Sequence, residues 1–105
     1  GHTGNYQAVT KALEKVDACL QKVVQKSIEE NYSLIIIADH GNAEIMKNSD
    51  GTPNTTHTTN RVPCFIVNSN FTSIKNGRLC DIAPTILKIM GISQPNDMSG
   101  VSLLD

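Results

Sequence analysis

The stretch Leu34-Ile35-Ile36-Ile37-Ala38-Asp39-His40-Gly41 decides the fold of this chain. Residues 34–38 are continuously apolar and rich in β-branched side chains, which predicts a strand buried on both faces and hence a parallel sheet covered by helices. The apolar run is far shorter than the ~20 residues that a membrane-spanning helix needs. We therefore expect an α/β fold and no membrane association.

A helical pattern precedes this strand. Apolar residues recur at three- and four-residue steps over roughly residues 6–30, which predicts an amphipathic helix with one packed face. Asn5 or Thr3 can cap its start, because both side chains accept hydrogen bonds from first-turn amides.

The second half of the chain predicts one more strand and one more helix. Residues 62–67 form an apolar strand, and Pro63 near its start suggests an edge position or a bulge. Asn76-Gly77 is typical of the turn of a short hairpin. Asp81 is expected to cap a helix that reaches Met90, and Gly91 to end it.

Two principal strands cannot make a complete, doubly covered parallel sheet. The chain has 105 residues and 11.4 kDa, less than one typical domain. Either it self-associates, or it is a segment of a larger α/β domain.

Composition excludes some partners and locations. Nine Lys and Arg balance ten Asp and Glu, a net charge of −1, so a nucleic-acid partner is not expected. Cys19, Cys64 and Cys80 are widely spaced and predict reduced thiols. No secretory signal is visible at the N-terminus, so we expect a cytoplasmic protein.

Candidate metal ligands follow the first strand and lie in loops. Asp39 and His40 stand at its carboxyl end, where α/β sheets place their ligands, and Gly41 would supply the freedom for both to face one site. His57 lies in the polar loop of residues 41–60, and His2 adjoins Gly1. Carboxylate and imidazole together suit manganese, zinc or iron.

Other roles for these residues remain open. Asp39 could instead cap a turn at the strand end, His40 and His57 could be solvated histidines, and Gly1-His2 could be a cloning remnant. Shared between two metals, the four candidates give two ligands each, fewer than the three that a catalytic metal usually has.

Five motifs resemble one known family in order and spacing. They are Gly1-His2-Thr3-Gly4, Ala38-Asp39-His40-Gly41-Asn42-Ala43-Glu44, Thr56-His57-Thr58-Thr59-Asn60 with Val62-Pro63, Asp81-Ile82-Ala83-Pro84-Thr85-Ile86-Leu87, and Met98-Ser99-Gly100-Val101-Ser102-Leu103. Together they resemble the C-terminal end of the cofactor-independent phosphoglycerate mutases, within the alkaline phosphatase superfamily.

The resemblance implies a glycolytic isomerase that interconverts 3-phosphoglycerate and 2-phosphoglycerate through a phosphoserine intermediate, with two divalent metal ions, most simply manganese. It implies a three-layer α/β/α phosphatase-like domain with a mainly parallel sheet, and an inserted phosphotransferase domain. Asp39 and His40 would bind the metal that activates the nucleophilic serine. His57 and His2 would bind the other metal.

On this resemblance, residues 1–105 form the C-terminal part of the phosphatase domain. The nucleophilic serine, two metal-binding aspartates and the inserted domain of the family are not matched in the chain. We therefore expect the isolated chain to be inactive and to self-associate. Two alternatives stay open: another alkaline-phosphatase-type phosphohydrolase, which would share the same ligands, and a non-catalytic oligomerising or metal-storing module.

Overall fold

The computed structural model describes residues 4–105, so His2 and Thr3 lie outside the described residues. Its elements are helix α1 (Tyr6–Glu29), strand β1 (Leu34–Ile37), strand β2 (Cys64–Val67), a short 3₁₀ helix (Leu79–Asp81) and helix α2 (Ile82–Ile89). The predicted α/β class is confirmed. No helix in this part of the chain is both long enough and apolar enough to cross a membrane.

The terminal amide and carbonyl groups of helix α1 find hydrogen-bond partners at both ends of the helix. The side chain of Asn5 accepts a hydrogen bond from the Ala8 amide at 3.1 Å, which confirms the predicted cap. At the other end Asn31 adopts φ 57, and its amide donates to the Ile28 carbonyl at 3.1 Å. An asparagine thus takes the left-handed position that often falls to glycine after a helix.

The apolar face of α1 is largely uncovered in residues 4–105. Val9 is buried, but four other apolar side chains of this face are more than half exposed: Leu13, Val16, Val23 and Ile28. A face of this size favours contact with further protein, because burying apolar surface stabilises a fold. Self-association of the chain stays a prediction.

The two strands pair antiparallel, with Leu34 opposite Val67 and Ile37 opposite Cys64. The expectation of parallel neighbours is therefore wrong for this pair. The reason lies in the connection: parallel pairing needs a crossover, usually a helix, whereas here the chain doubles back through a polar loop. Strand β2 begins directly after Pro63, which fits the lack of an amide on proline.

Strand β1 is less buried than its composition suggests. Leu34, Ile35 and Ile36 are half-buried and Ile37 is exposed. The described residues contain no third strand beside this pair, so the sheet is open in residues 4–105. The expectation of a strand covered on both faces is not met within this part of the chain.

The loop of residues 41–60 is ordered as two facing segments. Backbone bridges join Gly41 to Thr58 and Lys47 to Pro53. At the tip, Gly51 adopts φ 82 and its amide donates to the Asn48 carbonyl at 3.0 Å. The segments therefore continue the antiparallel course of β1 and β2 out to an exposed turn.

The best-buried part of the structure joins α2 to the C-terminal tail. Thr85 has an exposed fraction of 0%, and its hydroxyl donates to the Asp81 carbonyl at 2.7 Å. The same hydroxyl accepts a hydrogen bond from the Leu103 amide at 2.9 Å. Leu103 and Leu104 are themselves buried, so one hydroxyl holds the tail against the start of α2.

Asp81 holds the tail rather than capping α2. Its side chain makes no cap hydrogen bond to the helix but accepts from the Val101 amide at 2.9 Å and the Arg78 amide at 2.7 Å. The amide of Val101, followed by that of Arg78, lowers the pKa of the Asp81 carboxyl. The expected capping role of Asp81 in α2 is therefore wrong.

Two glycine predictions had different outcomes. Gly91 lies just after α2 at φ 68, which confirms that it ends the helix. No hairpin forms at Asn76-Gly77, because this segment contacts the tail instead: the Lys75 amide donates to the Leu103 carbonyl at 2.8 Å.

The hydroxyl of Thr85 can be tested by Thr85→Val, which keeps shape and removes both hydrogen bonds. The change leaves the Leu103 amide buried without its partner, and we expect the free energy of unfolding to fall by about 1–3 kcal/mol. Denaturant titration of the protein that carries this chain measures it.

The matched control is Thr10→Val, because the Thr10 hydroxyl makes an exposed bond to the Tyr6 carbonyl at 3.0 Å. This control should change stability by less than about 0.5 kcal/mol. Equal effects of the two variants would contradict the role given to Thr85.

Candidate metal centre

The candidate ligands lie where the antiparallel ladder opens. Ile37 and Cys64 form the last strand pair, and the next backbone bond beyond it runs from the Thr58 amide to the Gly41 carbonyl at 2.9 Å. Between these two links no backbone hydrogen bond joins residues 38–40 to residues 59–63, so the ladder is interrupted there. The fold thus presents Asp39 and His40 at the edge of an opening, as predicted for the end of the strand.

The opening leads to a cleft of about 610 Å³. Three basic side chains line it: Arg61, Lys75 and Arg78. Lys75 forms an ion pair with Asp105, and the Arg78 guanidinium lies 3.8 Å from the Asp81 carboxylate. Arg61 has no ion pair within residues 4–105, so the cleft carries positive charge beside Asp39 and His40.

The rings of His40 and His57 stack on each other. Their centroids are 3.5 Å apart and their planes differ by 16°. His40 is half-buried and His57 is exposed. The bridge between Gly41 and Thr58, one residue beyond each histidine, accounts for the pairing, because it fixes the two segments side by side.

His40 is oriented by the residues on either side of it. Its Nδ1 lies 3.0 Å from the Gly41 carbonyl oxygen, and its Nε2 lies 3.6 Å from Oδ1 of Asp39. With the proton on Nδ1 donated to that carbonyl, Nε2 keeps its lone pair on the side of the carboxylate. In that tautomer Nε2 of His40 is free of a proton and has a lone pair for a metal ion.

Gly41 is required for space. Its φ is not positive, so the backbone freedom expected of it is not used. A Cβ at this position would collide with the Thr58 hydroxyl and with the carboxylate of Glu44. The absence of a side chain at Gly41 therefore lets two other side chains meet above it.

Glu44 is a residue of the site that the sequence reasoning missed. Its Oε2 accepts a hydrogen bond from the Asn42 amide at 2.7 Å, and its Oε1 accepts from the Thr58 hydroxyl and, at 3.2 Å, from Nδ2 of Asn60. The only signal was its place at the end of the A-D-H-G-N-A-E motif. One carboxylate thus joins the segment of His40 to the segment of His57.

These hydrogen bonds stabilise the charged form of Glu44. The Thr58 hydroxyl contributes most, and together the donors lower the pKa of Glu44 from 4.5 to about 2. Glu44 is therefore an anion throughout the physiological range.

The described residues contain three of the four candidate metal ligands. Asp39, His40 and His57 lie together at the opening, whereas His2 is outside the described residues. No three His, Cys, Asp or Glu side chains in residues 4–105 are arranged to hold a metal ion. The carboxylate and imidazole donors are of types that fit a divalent metal.

The family model for the metalloenzyme superfamily matches residues 1–94. The match includes all four candidate ligands and Glu44. The chain therefore belongs to the metalloenzyme superfamily.

Curated proteins similar to this chain belong to a narrower group than the superfamily. The chain is 54% identical over 104 residues to the 2,3-bisphosphoglycerate-independent phosphoglycerate mutase of Flavobacterium johnsoniae, with 99% of this chain and 21% of the relative covered. It is 52% identical over 105 residues to the protein of that name from Bacteroides thetaiotaomicron, with the same coverage. The chain spans about one fifth of the length of these relatives.

A solved structure gives the same match. The phosphoglycerate mutase of Leishmania mexicana, whose crystal structures were determined at low cobalt concentration, matches with a TM-score of 0.84 and 28% identity. The match covers 99% of this chain and 22% of that chain. The family resemblance stated from the five motifs is confirmed.

Lowering the pH should weaken the cross-link made by Glu44. Because its folded pKa is below the ordinary 4.5, the stabilisation is complete above that pH and is lost as the pH falls toward about 2. We expect the midpoint of thermal unfolding to be higher in wild type than in Glu44→Gln above pH 5, and this difference to shrink toward pH 2. Calorimetry on the metal-free protein measures it. A difference that stays constant with pH would contradict the assignment.

Proposed function

We propose that this chain is part of a cofactor-independent phosphoglycerate mutase, a glycolytic isomerase that interconverts 3-phosphoglycerate and 2-phosphoglycerate through a phosphoserine. The match to mutases, which covers 99% of the chain, supports the proposal. Within the matched region His40 stacks on His57 next to Asp39, and these three residues are the proposed metal donors. The proposed compartment is the cytoplasm.

In this proposal the donors divide between two divalent metal ions, with manganese as the native metal. Asp39 and His40 hold the ion that activates the nucleophilic serine, and His57 holds the other ion together with His2. When bound, such ions supply positive charge that stabilises phosphoryl transfer. The mixed oxygen and nitrogen donors of this chain suit manganese.

The proposed roles of this chain are to orient a metal ligand and to bind the substrate. The Gly41 carbonyl favours the tautomer in which the proton of His40 is on Nδ1, so Nε2 has a lone pair with which to bind a metal ion. Arg61, which has no ion pair within residues 4–105, lines the adjacent cleft and favours an anionic, phosphorylated substrate there. No further partner is needed: neither nucleic acid nor membrane belongs to the proposal.

Residues 1–105 are proposed to be the C-terminal part of a three-layer α/β/α phosphatase-like domain with a mainly parallel sheet. Support comes from the open two-stranded sheet, the exposed face of α1 and the one-fifth coverage of the relatives. The antiparallel pair of β1 and β2 would lie at one side of that larger sheet. The nucleophilic serine and the inserted phosphotransferase domain would lie outside this chain.

Another metal-dependent phosphohydrolase would use the same three donors. The mutase is favoured because the aligned region also includes the segment around Asp81 and Thr85 and the segment around Val101, which the structure packs together. These two segments would not be needed for the metals alone.

The ligand roles are tested by Asp39→Asn and His40→Ala in the full-length protein that carries this chain. Each should deplete the one metal ion that Asp39 and His40 are proposed to hold and lower mutase turnover by several orders of magnitude, because asparagine keeps the volume but loses the charge, and alanine loses the imidazole nitrogen. His57→Ala should chiefly deplete the second metal. Elemental analysis and a coupled mutase assay measure both.

Asp17→Asn is the matched control, since Asp17 is an exposed carboxylate on α1. It should leave metal content and turnover as in wild type. Full metal occupancy with normal turnover in Asp39→Asn would reduce Asp39 to a capping residue, because asparagine caps about equally well.

The isolated 105-residue chain should not convert 3-phosphoglycerate. A phosphoserine cannot form without the serine that accepts the phosphoryl group, and four donors shared between two metal ions give each ion only two ligands. Incubation of the purified chain with substrate and Mn²⁺, followed by phosphorus NMR, measures conversion. Product above the level of a buffer control would contradict the proposed division of the active site.

A further inference from the structure

We propose that Glu44 is a positioning residue of the metal centre, and that its carboxylate fixes the segment carrying His40 against the segment carrying His57. This inference rests on the proposed function, since it takes the two histidines to be metal ligands. It concerns a residue that is not itself offered as a ligand.

The contacts of Glu44 cross the opening of the ladder. One carboxylate oxygen binds the Asn42 amide, two residues after His40. The other oxygen binds the hydroxyl of Thr58, the residue after His57, and the side-chain amide of Asn60. Each histidine is therefore close in sequence to a donor held by the same carboxylate.

Backbone hydrogen bonds hold the two segments at separate points: the Thr58 amide donates to the Gly41 carbonyl at 2.9 Å, and the Asn54 amide donates to the Met46 carbonyl at 2.9 Å. Between the last strand pair and the bridge from Lys47 to Pro53, Gly41 and Thr58 form an isolated backbone bridge. A second link joins Nδ2 of Asn42 to the Thr56 carbonyl at 3.5 Å, at the limit of hydrogen bonding. Bonds to a charged carboxylate are roughly twice as strong as neutral ones, so Glu44 adds a strong side-chain connection next to the histidines.

Glycine at position 41 makes this connection possible. A Cβ there would occupy the space in which the Thr58 hydroxyl meets the Glu44 carboxylate. Gly41→Ala is therefore a second, independent way to break the same link, with the carboxylate left in place.

A neighbouring carboxylate provides a matched control. Asp50, at the tip of the same loop, accepts bonds from the amide of Thr52 at 2.9 Å and from its hydroxyl at 2.6 Å. It makes the same kinds of bond as Glu44, but both come from one residue of the tip turn. Its removal should loosen the tip without moving the histidines.

The experiment measures Mn²⁺ binding by calorimetry to metal-stripped full-length protein in wild type, Glu44→Ala, Glu44→Gln, Gly41→Ala, Asp50→Ala and His40→Ala. We expect Glu44→Ala and Gly41→Ala to weaken Mn²⁺ binding about 10–100-fold, the usual effect of losing a partner that orients metal ligands. Glu44→Gln keeps one acceptor oxygen and should fall between Glu44→Ala and wild type. Asp50→Ala should bind as wild type does.

A second readout needs no metal. In metal-free protein with labelled histidines, the stacked rings shift each other's proton NMR signals through their ring currents. These shifts should diminish in Glu44→Ala and persist in Asp50→Ala. Thr85→Val separates positioning from general stability, because it should destabilise the fold while leaving both the Mn²⁺ affinity and the ring shifts unchanged.

Different results would contradict the positioning role of Glu44 and the proposed function. If His40→Ala loses Mn²⁺ while both Glu44 variants and Gly41→Ala bind it with wild-type affinity, the positioning role is overturned and the proposed function stands. If His40→Ala binds Mn²⁺ as wild type does, the proposed function itself is overturned. If Thr85→Val weakens binding as much as Glu44→Ala does, the effect is one of stability and the positioning role is overturned.

Discussion

The backbone bond between the Thr58 amide and the Gly41 carbonyl is the constraint on which the site depends. Strands β1 and β2 pair through Ile37 and Cys64, and the chain then separates before this bond closes it again. The interval between the two links is where the candidate ligands lie. A regular ladder would have placed side chains alternately on two faces, whereas an interrupted ladder leaves room for a cleft and for two facing imidazoles.

A second set of hydrogen bonds holds the side of the cleft that residues 74–79 and Leu103 line. Thr85 and Asp81 use one hydroxyl and one carboxylate to hold the backbone of the C-terminal tail, and Leu103 and Leu104 are buried where it docks. The Lys75 amide then donates to the tail, so the segment that carries the basic side chains is held indirectly by α2. In residues 4–105 few apolar side chains are buried, so these polar contacts contribute much of the packing, and no buried side-chain nitrogen or oxygen there lacks a hydrogen-bond partner.

Sequence patterns predicted the features that are determined by residues close together in the sequence. The cap at Asn5, the end of α2 at Gly91 and the position of Asp39 and His40 after a strand all follow from local geometry. The direction of β2 and the role of Asp81 could not be predicted, because both depend on where distant segments return. Glu44 was missed for a related reason: its partners lie across the loop, and a lone glutamate in a polar stretch carries no periodic signal.

The exposed tip of the loop has a consequence for variation in chain length. A side chain at Gly51 would have nothing within 4 Å, and the bridge between Lys47 and Pro53 isolates the turn from the histidines. The entropic cost of closing a flexible loop rises by only about 0.6 kcal/mol for each doubling of its length. The loop can therefore accommodate insertions between residues 48 and 52 without a change in the distance between the two imidazoles. The tip is also a suitable point for attaching a probe or a fused domain.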